Sequence, residues 1–165
     1  MTSDSEPSAR PEPSGVSAEE ACDVVDDINR HLDSAGEFDR AALIPGMYLA
    51  WCVRLGLLDR RFAEQQAQAI LRLHYNDGSC IEMLVTACGG TLKYAHLNDR
   101  GVAFTRDYYP QFLKDWRAVF GEDIYGVKDS WENYGKIAAV LTKALHGKGS
   151  DAKHRRRKTW RFWTW

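Results

Sequence analysis

Three carboxylates fall within one helical turn in Asp23-x-x-Asp26-Asp27, a spacing at which carboxylate oxygens can grip a hard cation such as Mg²⁺. The same residues also read as an exposed helix face. Asp26 has Arg30 and Asp27 has His31 four residues on, pairs worth about 0.2–0.5 kcal/mol each on a helix surface. No second acidic cluster faces them across a cavity, so no metal site is expected. Nucleophilic chemistry has less to stand on, because no Gly-x-Ser-x-Gly elbow, P-loop or Rossmann glycine pattern occurs. His31, His74, His96, His146 and His154 are scattered. Cys22, Cys52, Cys80 and Cys88 form no CxxC pair and fall at no metal-ligand spacing from a histidine. Cys80 and Cys88 share one predicted helix and stand about 12 Å apart on it, beyond disulfide reach. The expectation is four reduced thiols, packed for the most part in the core, in a chain that is not an enzyme and takes no cofactor, metal or small-molecule substrate.

The C-terminal stretch carries a different chemistry. Lys153-His154-Arg155-Arg156-Arg157-Lys158 precedes Trp160-Arg161-Phe162-Trp163-Thr164-Trp165, and half of the six tryptophans fall in the last six residues. Cationic groups neutralise phosphates and aromatic faces stack on unpaired bases, so Arg155, Arg156, Arg157, Lys158, Trp160, Trp163 and Trp165 are candidate nucleic-acid contacts. The same composition suits the headgroup region of an anionic membrane. A third reading folds the tail back so that its tryptophans cover an apolar groove of the domain. These four aromatics share no helical face; an extended segment would set Trp160 and Phe162 on one side and Trp163 and Trp165 on the other.

The elements that would position these groups are helical. Residues 1–16 hold three of the five prolines and almost no large apolar side chains, too little to offset the entropy of ordering, and read as a flexible leader. Ser17 with Glu20 is a capping-box pattern, after which Ala21, Val25, Ile28 and Leu32 gather on one helical face and Asp23, Asp26, Asp27 and Arg30 on the other. Leu43 to Leu58 is apolar on nearly every side, the pattern of a helix in the middle of a fold, with Pro45 in its first turn and Gly56 near its end. A third helix is expected over Phe62 to about His74 and a fourth from Ser79 to Gly89-Gly90. Leu97 to Phe120 reads as two helices or one kinked at Pro110, with Asn98 as cap. A last helix, capped by Asp129 or Ser130, places Tyr134, Ile137, Ala138, Leu141 and Leu145 on one face and ends at Gly147 to Ser150. No segment before the tail alternates apolar and polar residues. The fold class is therefore all-α: a single compact helical domain of five to seven helices around a buried central helix, residues 17–147, between the leader (1–16) and the basic tail (148–165).

With 165 residues, 44% hydrophobic and 27% charged, the chain suits one globular domain, and a formal net charge of -1 gives it no whole-chain field for nucleic acid. The charge is unevenly spread. Acids outnumber bases in the leader and the body, whereas residues 148–165 carry seven bases and one acid. No apolar run approaches the roughly 20 residues of a membrane span, and the N-terminus lacks the basic and apolar regions of a signal peptide, so a soluble cytoplasmic protein is expected.

Three motifs stand in order along the chain: Gly46-Met47-Tyr48-Leu49-Ala50-Trp51-Cys52 with Gly56-Leu57; Leu97-Asn98-Asp99-Arg100-Gly101-Val102-Ala103-Phe104 leading to Asp107-Tyr108-Tyr109; and Asp129-Ser130-Trp131-Glu132-Asn133-Tyr134. Read as residues, Trp51 and Phe104 lie on apolar faces, and Asp129 with Ser130 and Glu132 suits the positive end of a helix. Tyr108 and Tyr109 diverge by about 100° on a helix, so one is buried and the other is an exposed anchor of the kind interfaces favour. Together the motifs resemble a group of small bacterial helical proteins over about residues 22–145. That resemblance implies an all-helical fold without catalytic residues, and an immunity protein encoded beside a polymorphic or secreted toxin. An inhibitor of a toxin with a basic cleft would use acidic groups, which makes Asp23, Asp26 and Asp27, with Asp107, Tyr109, Glu132 and Asn133, the candidate partner-binding residues.

Overall fold

The structure, a computed structural model, describes residues 23–158 and the side chains of 23–147. Seven helices and a two-stranded sheet follow one another. Strand β1 (Val24–Asp27) leads into α1 (Ile28–Ala35) and α2 (Phe38–Arg54); α3 (Arg60–Gln65), α4 (Ala67–His74) and α5 (Cys80–Cys88) come next. Strand β2 (Thr91–Lys93), a single 3₁₀ turn (Tyr94–His96), α6 (Asp99–Phe120) and α7 (Trp131–Lys158) complete the order. The domain is all-α, with the sheet as a small addition.

Helix α2 is the centre. Every residue from Ala41 to Val53 is buried, which is what a segment apolar on all sides requires. The helix starts at Phe38, so Pro45 sits in its interior rather than in the expected first turn. Helix α5 crosses it closely at Gly46, where a Cβ would come within 2.9 Å of the Cys80 carbonyl oxygen. Aromatic rings fill the far side: Tyr48 meets Tyr109 edge-on at 4.8 Å and Phe112 at 4.9 Å, while Trp51 meets Phe104 at 5.4 Å.

The second motif docks α6 onto the loop after α2. The Asn98 side chain accepts from the Gly101 N–H at 2.9 Å as the helix cap and donates to the Gly56 carbonyl at 2.9 Å; its own N–H reaches the Leu57 carbonyl. Gly101 then lies so near that a Cβ would come within 2.6 Å of the Leu57 oxygen. Of the two readings of this stretch, the single helix holds: it runs through Pro110 to Phe120. The third motif starts α7, where Trp131 and Tyr134 flank the Arg54 guanidinium at 4.7 and 5.3 Å. That guanidinium also donates to the Leu73 carbonyl at 3.0 Å and to Asn76 Oδ1 at 2.6 Å, binding the end of α2 to the α4–α5 turn.

Other boundaries differ from the sequence reading. The helix expected over Phe62 to His74 is two, interrupted at Gln66. Ser79 caps α5 by accepting from the Glu82 N–H, and Gly89 ends it in the left-handed conformation, as the sequence indicates. Helix α7 runs past Gly147 to Lys158. The leader, the Ser17 cap and residues 159–165 lie outside the described residues.

Gly46→Ala and Gly101→Ala should each destabilise the domain by about 1–3 kcal/mol, since each methyl meets backbone that cannot move aside cheaply. Gly135→Ala, in α7 with open space around it, should be neutral or stabilising by up to about 1 kcal/mol. Urea unfolding followed by circular dichroism measures all three.

Candidate functional site

Of the residues the sequence singles out, the aspartate triplet moves furthest from expectation. Residues 24–27 form a strand, not a helix: Val24 lies opposite Lys93, Asp26 opposite Leu92 and Asp27 opposite Thr91, with an irregularity between Val24 and Asp26. Two β-branched valines favour that conformation, and the ladder turns Asp26 inward. Its exposure is 3%. A carboxylate there needs partners, and several elements supply them. Both of its oxygens lie 2.9 Å from His31 Nε2 on α1; the Asp27 N–H donates to Oδ1 at 2.8 Å, and the Tyr109 hydroxyl on α6 donates to Oδ2. His31 Nε2 therefore carries a proton, and in the neutral ring Nδ1 accepts from the Tyr125 hydroxyl at 3.0 Å.

A carboxylate orienting a histidine whose other nitrogen meets a hydroxyl has the connectivity of a general-base relay. The electrostatics run against activation of that hydroxyl. Burial first, then the Asp26 charge, raise the Tyr125 hydroxyl above its ordinary value, opposed by a bond to Ser34. Tyr109 is raised far more, by burial and then by Asp26. His31 is itself buried. The arrangement ties β1, α1, α6 and the loop after α6 together, with half-buried Tyr125 at its outer end.

The remaining candidates separate. Asp27 is half-buried and caps α1 through the Asn29 N–H at 2.8 Å. Although burial pushes its carboxyl up, the Thr91 hydroxyl, Asn29 and the Arg30 charge together hold it below the usual value. The expected Asp26–Arg30 and Asp27–His31 pairs do not form; Arg30 reaches the Val25 carbonyl and His31 takes Asp26. Tyr109, expected at the contact face, is buried edge-on against Tyr48 of α2, and Tyr108 is buried too, stacked on Phe104 at 4.9 Å. Asp23 is half-buried beside His96. Asp107 is exposed on α6, and Glu132 is exposed and paired with Lys136 at 2.9 Å. Half-buried Asn133 donates to the Lys128 carbonyl at 3.0 Å. Seven residues meant to form one face thus divide between the interior and separate places. Arg155, Arg156, Arg157 and Lys158 fall on the end of α7 with their side chains outside the described residues, as are Trp160, Trp163 and Trp165 entirely.

A surface that the sequence reading passed over lies on α3 and α4. Ala63, Ala67, Ile70 and Leu71 floor an open groove of about 410 Å³, edged by Arg60, Glu64 and His74. Leu71 is 51% exposed and Tyr75, one turn on, is 77% exposed. The signal was available in the sequence: Ala63, Ala67, Ile70, Leu71 and His74 recur at three- and four-residue steps, on a face other than the one that carries Phe62 and Leu73 inward. On the opposite side of α4, Arg72 is already matched by Glu82 and Asp77 beside a cleft of about 170 Å³.

A family model described as a domain of unknown function, DUF7832, matches residues 24–127. The chain belongs to this family. The DUF7832 stretch begins with β1 and ends in the loop that carries Tyr125, so it includes every member of the Asp26 cluster and excludes α7. No curated protein and no solved structure matches the chain. Among the described residues, no helix is long and apolar enough to cross a membrane, and no group of three or more metal-ligating side chains converges.

Asp26→Ala should destabilise the domain by about 3–5 kcal/mol, as expected when one partner of a buried pair is removed. Asp107→Ala and Glu132→Ala should each stay within about 0.5 kcal/mol. Equal, small effects in chemical denaturation would place Asp26 at the surface.

Proposed function

We propose that this DUF7832 protein is a non-enzymatic protein-binding module whose contact face is the α3–α4 surface. The partner is a toxin that it neutralises by stoichiometric binding in the cytoplasm of the bacterium that makes both. The observation that carries the reading is the exposed apolar stripe itself. The domain keeps Leu71, which lines the groove, at 51% exposure and Tyr75, four residues on at the end of α4, at 77%, where desolvation by a partner would return binding free energy. Aromatic anchors with a polar rim are what interfaces favour, and Arg60, Glu64 and His74 supply that rim. The class of partner rests on the resemblance of the three motifs to immunity-like proteins. The acidic contact surface suggested by sequence is replaced, because Asp26 and Tyr109 are committed to the interior.

Leu71→Asp and Tyr75→Ala change exposed side chains and should shift stability by under about 0.5 kcal/mol. Each should weaken partner binding by at least about 1–2 kcal/mol, or roughly tenfold in Kd. The test is a pull-down from the native host with wild-type and variant chains, read by mass spectrometry. The protein lost on the variants is then expressed alone, where it should arrest growth that the wild-type chain restores. A partner that binds the variants as tightly as wild type, or that is harmless alone, contradicts the proposal.

A further inference from the structure

We infer that the α3–α4 face seats on the same face of a second copy of this chain, antiparallel about a two-fold axis at Ala67, so that the protein without its partner is a weak dimer. The inference rests on the reading of that face as a contact surface, and adds what covers it when no partner is bound.

The two helices present one face. The N–H groups of Ala63, Gln66 and Ile70 donate to the carbonyls of Asp59, Phe62 and Gln66 at 2.9, 3.0 and 3.0 Å, so the chain keeps winding through the junction, and the groove takes side chains from both helices. Bulk is spread unevenly along it. Ala63 and Ala67 floor the first half, whereas Ile70 and Leu71, followed by Tyr75, raise the second. A copy laid parallel would set Leu71 against Leu71 and Arg60 against Arg60, and leave the small half unfilled. An antiparallel copy fills both halves at once. Leu71 and Ala63 lie four residues to either side of Ala67, so a two-fold axis there puts each leucine over the other copy's Ala63, makes the two contacts identical and closes the pair. At the axis Ala67 faces its own counterpart, and side chains of that size let two helices approach to the near end of the usual spacing.

The rim fits the same arrangement. Arg60 stands seven residues before Ala67 and Tyr75 eight after it, so the axis brings the exposed Tyr75 ring of each copy over the exposed Arg60 of the other. A guanidinium is attracted to an aromatic face, as Arg54 already is between Trp131 and Tyr134. Arg60 gives up nothing for this contact. It holds Glu64 through Nε at 2.9 Å, in the plane of the guanidinium, and the ring covers the flat side, so the ion pair stays within its own chain and no charge is buried alone. The extent of the face sets the strength. The residues that line the groove, with Tyr75, are eight, roughly a third of the 20–30 a side in a standard interface, which puts the dimer among weak, transient contacts. A tighter partner therefore replaces the second copy, and its apparent affinity falls by the fraction of chains left monomeric.

The test is the oligomeric state of the full-length chain alone. A face of this size predicts a Kd of about 10–100 μM. Across that range the weight-average mass in analytical sedimentation should climb from that of one chain, 18.8 kDa, toward twice that. Ala67→Glu, which sets two carboxylates against each other at the axis, should hold the chain at monomer mass throughout, and Tyr75→Ala should raise the Kd about tenfold or more. Leu113→Asp, at an exposed position of α6, should leave the curve unchanged, and circular dichroism checks that each variant keeps its helix. In ¹⁵N spectra of the wild type, the amides of Ala63, Ala67, Leu71 and Tyr75 should shift over the same concentrations while that of Gln111 stays in place. A wild-type chain that remains at monomer mass, a dimer that Ala67→Glu leaves intact, or shifts that fall on α6 instead of α3–α4 overturn the inference. No partner is present in this measurement, so a monomer whose toxin is lost with Tyr75→Ala keeps the functional reading and removes this one. A dimer broken by Ala67→Glu, in a chain with no partner at Tyr75, does the reverse.

Discussion

One buried carboxylate decides how the first third of the chain meets the last. At 3% exposure Asp26 must have its hydrogen bonds inside the protein, and the donors come from the neighbouring backbone, from α1 and from α6. Tyr109, 83 residues away in sequence, can reach it only if α6 lies across α2 with its aromatic side inward. His31 can reach it only if the backbone leaves the strand at Asp27 and turns at once into α1. Tyr125 then fixes the loop after α6 through the other nitrogen of the same imidazole. The interaction is costly to place, since it desolvates a charge, and costly to remove once placed. It specifies an arrangement more than it adds stability.

Around that constraint the three sequence motifs divide the work of packing on α2. Gly46 admits α5, Asn98 and Gly101 admit the first turn of α6 against Gly56 and Leu57, and Trp131 with Tyr134 hold Arg54. Each motif is a contact between elements distant in sequence. Motifs of this kind carry a fold, and none of the three lies on the α3–α4 face proposed for partner contact.

The sequence made much of this legible. A segment apolar on all sides could only be central, and α2 is; Ser79, Gly89 and Asn98 announced their caps. The errors have physical reasons. Val24 to Asp27 reads as part of an amphipathic helix because its apolar positions fit a 3.6-residue period, yet two valines and a ladder of three pairs with Thr91–Lys93 win, and pairing over that sequence distance leaves no local signal. Asp26 looked exposed because carboxylates usually are; its burial depends on His31 and Tyr109 arriving together. Pro110 left one helix or two open, and a helix with aromatic anchors on both sides of it, Tyr109 and Phe112, packs across the lost hydrogen bond as one. The α3–α4 face was visible as a second apolar stripe. Its exposure was not, because a period shows which residues share a face and never which face the rest of the fold covers.

The central claim is that the aspartate at the head of the DUF7832 match is a structural anchor and not a contact residue. A double-mutant cycle with Asp26→Asn and Tyr109→Phe, read by urea unfolding, tests it most directly. Residues in one buried network should show a coupling of about 1–3 kcal/mol. Additivity within about 0.3 kcal/mol would contradict the account and return Asp26 to the surface.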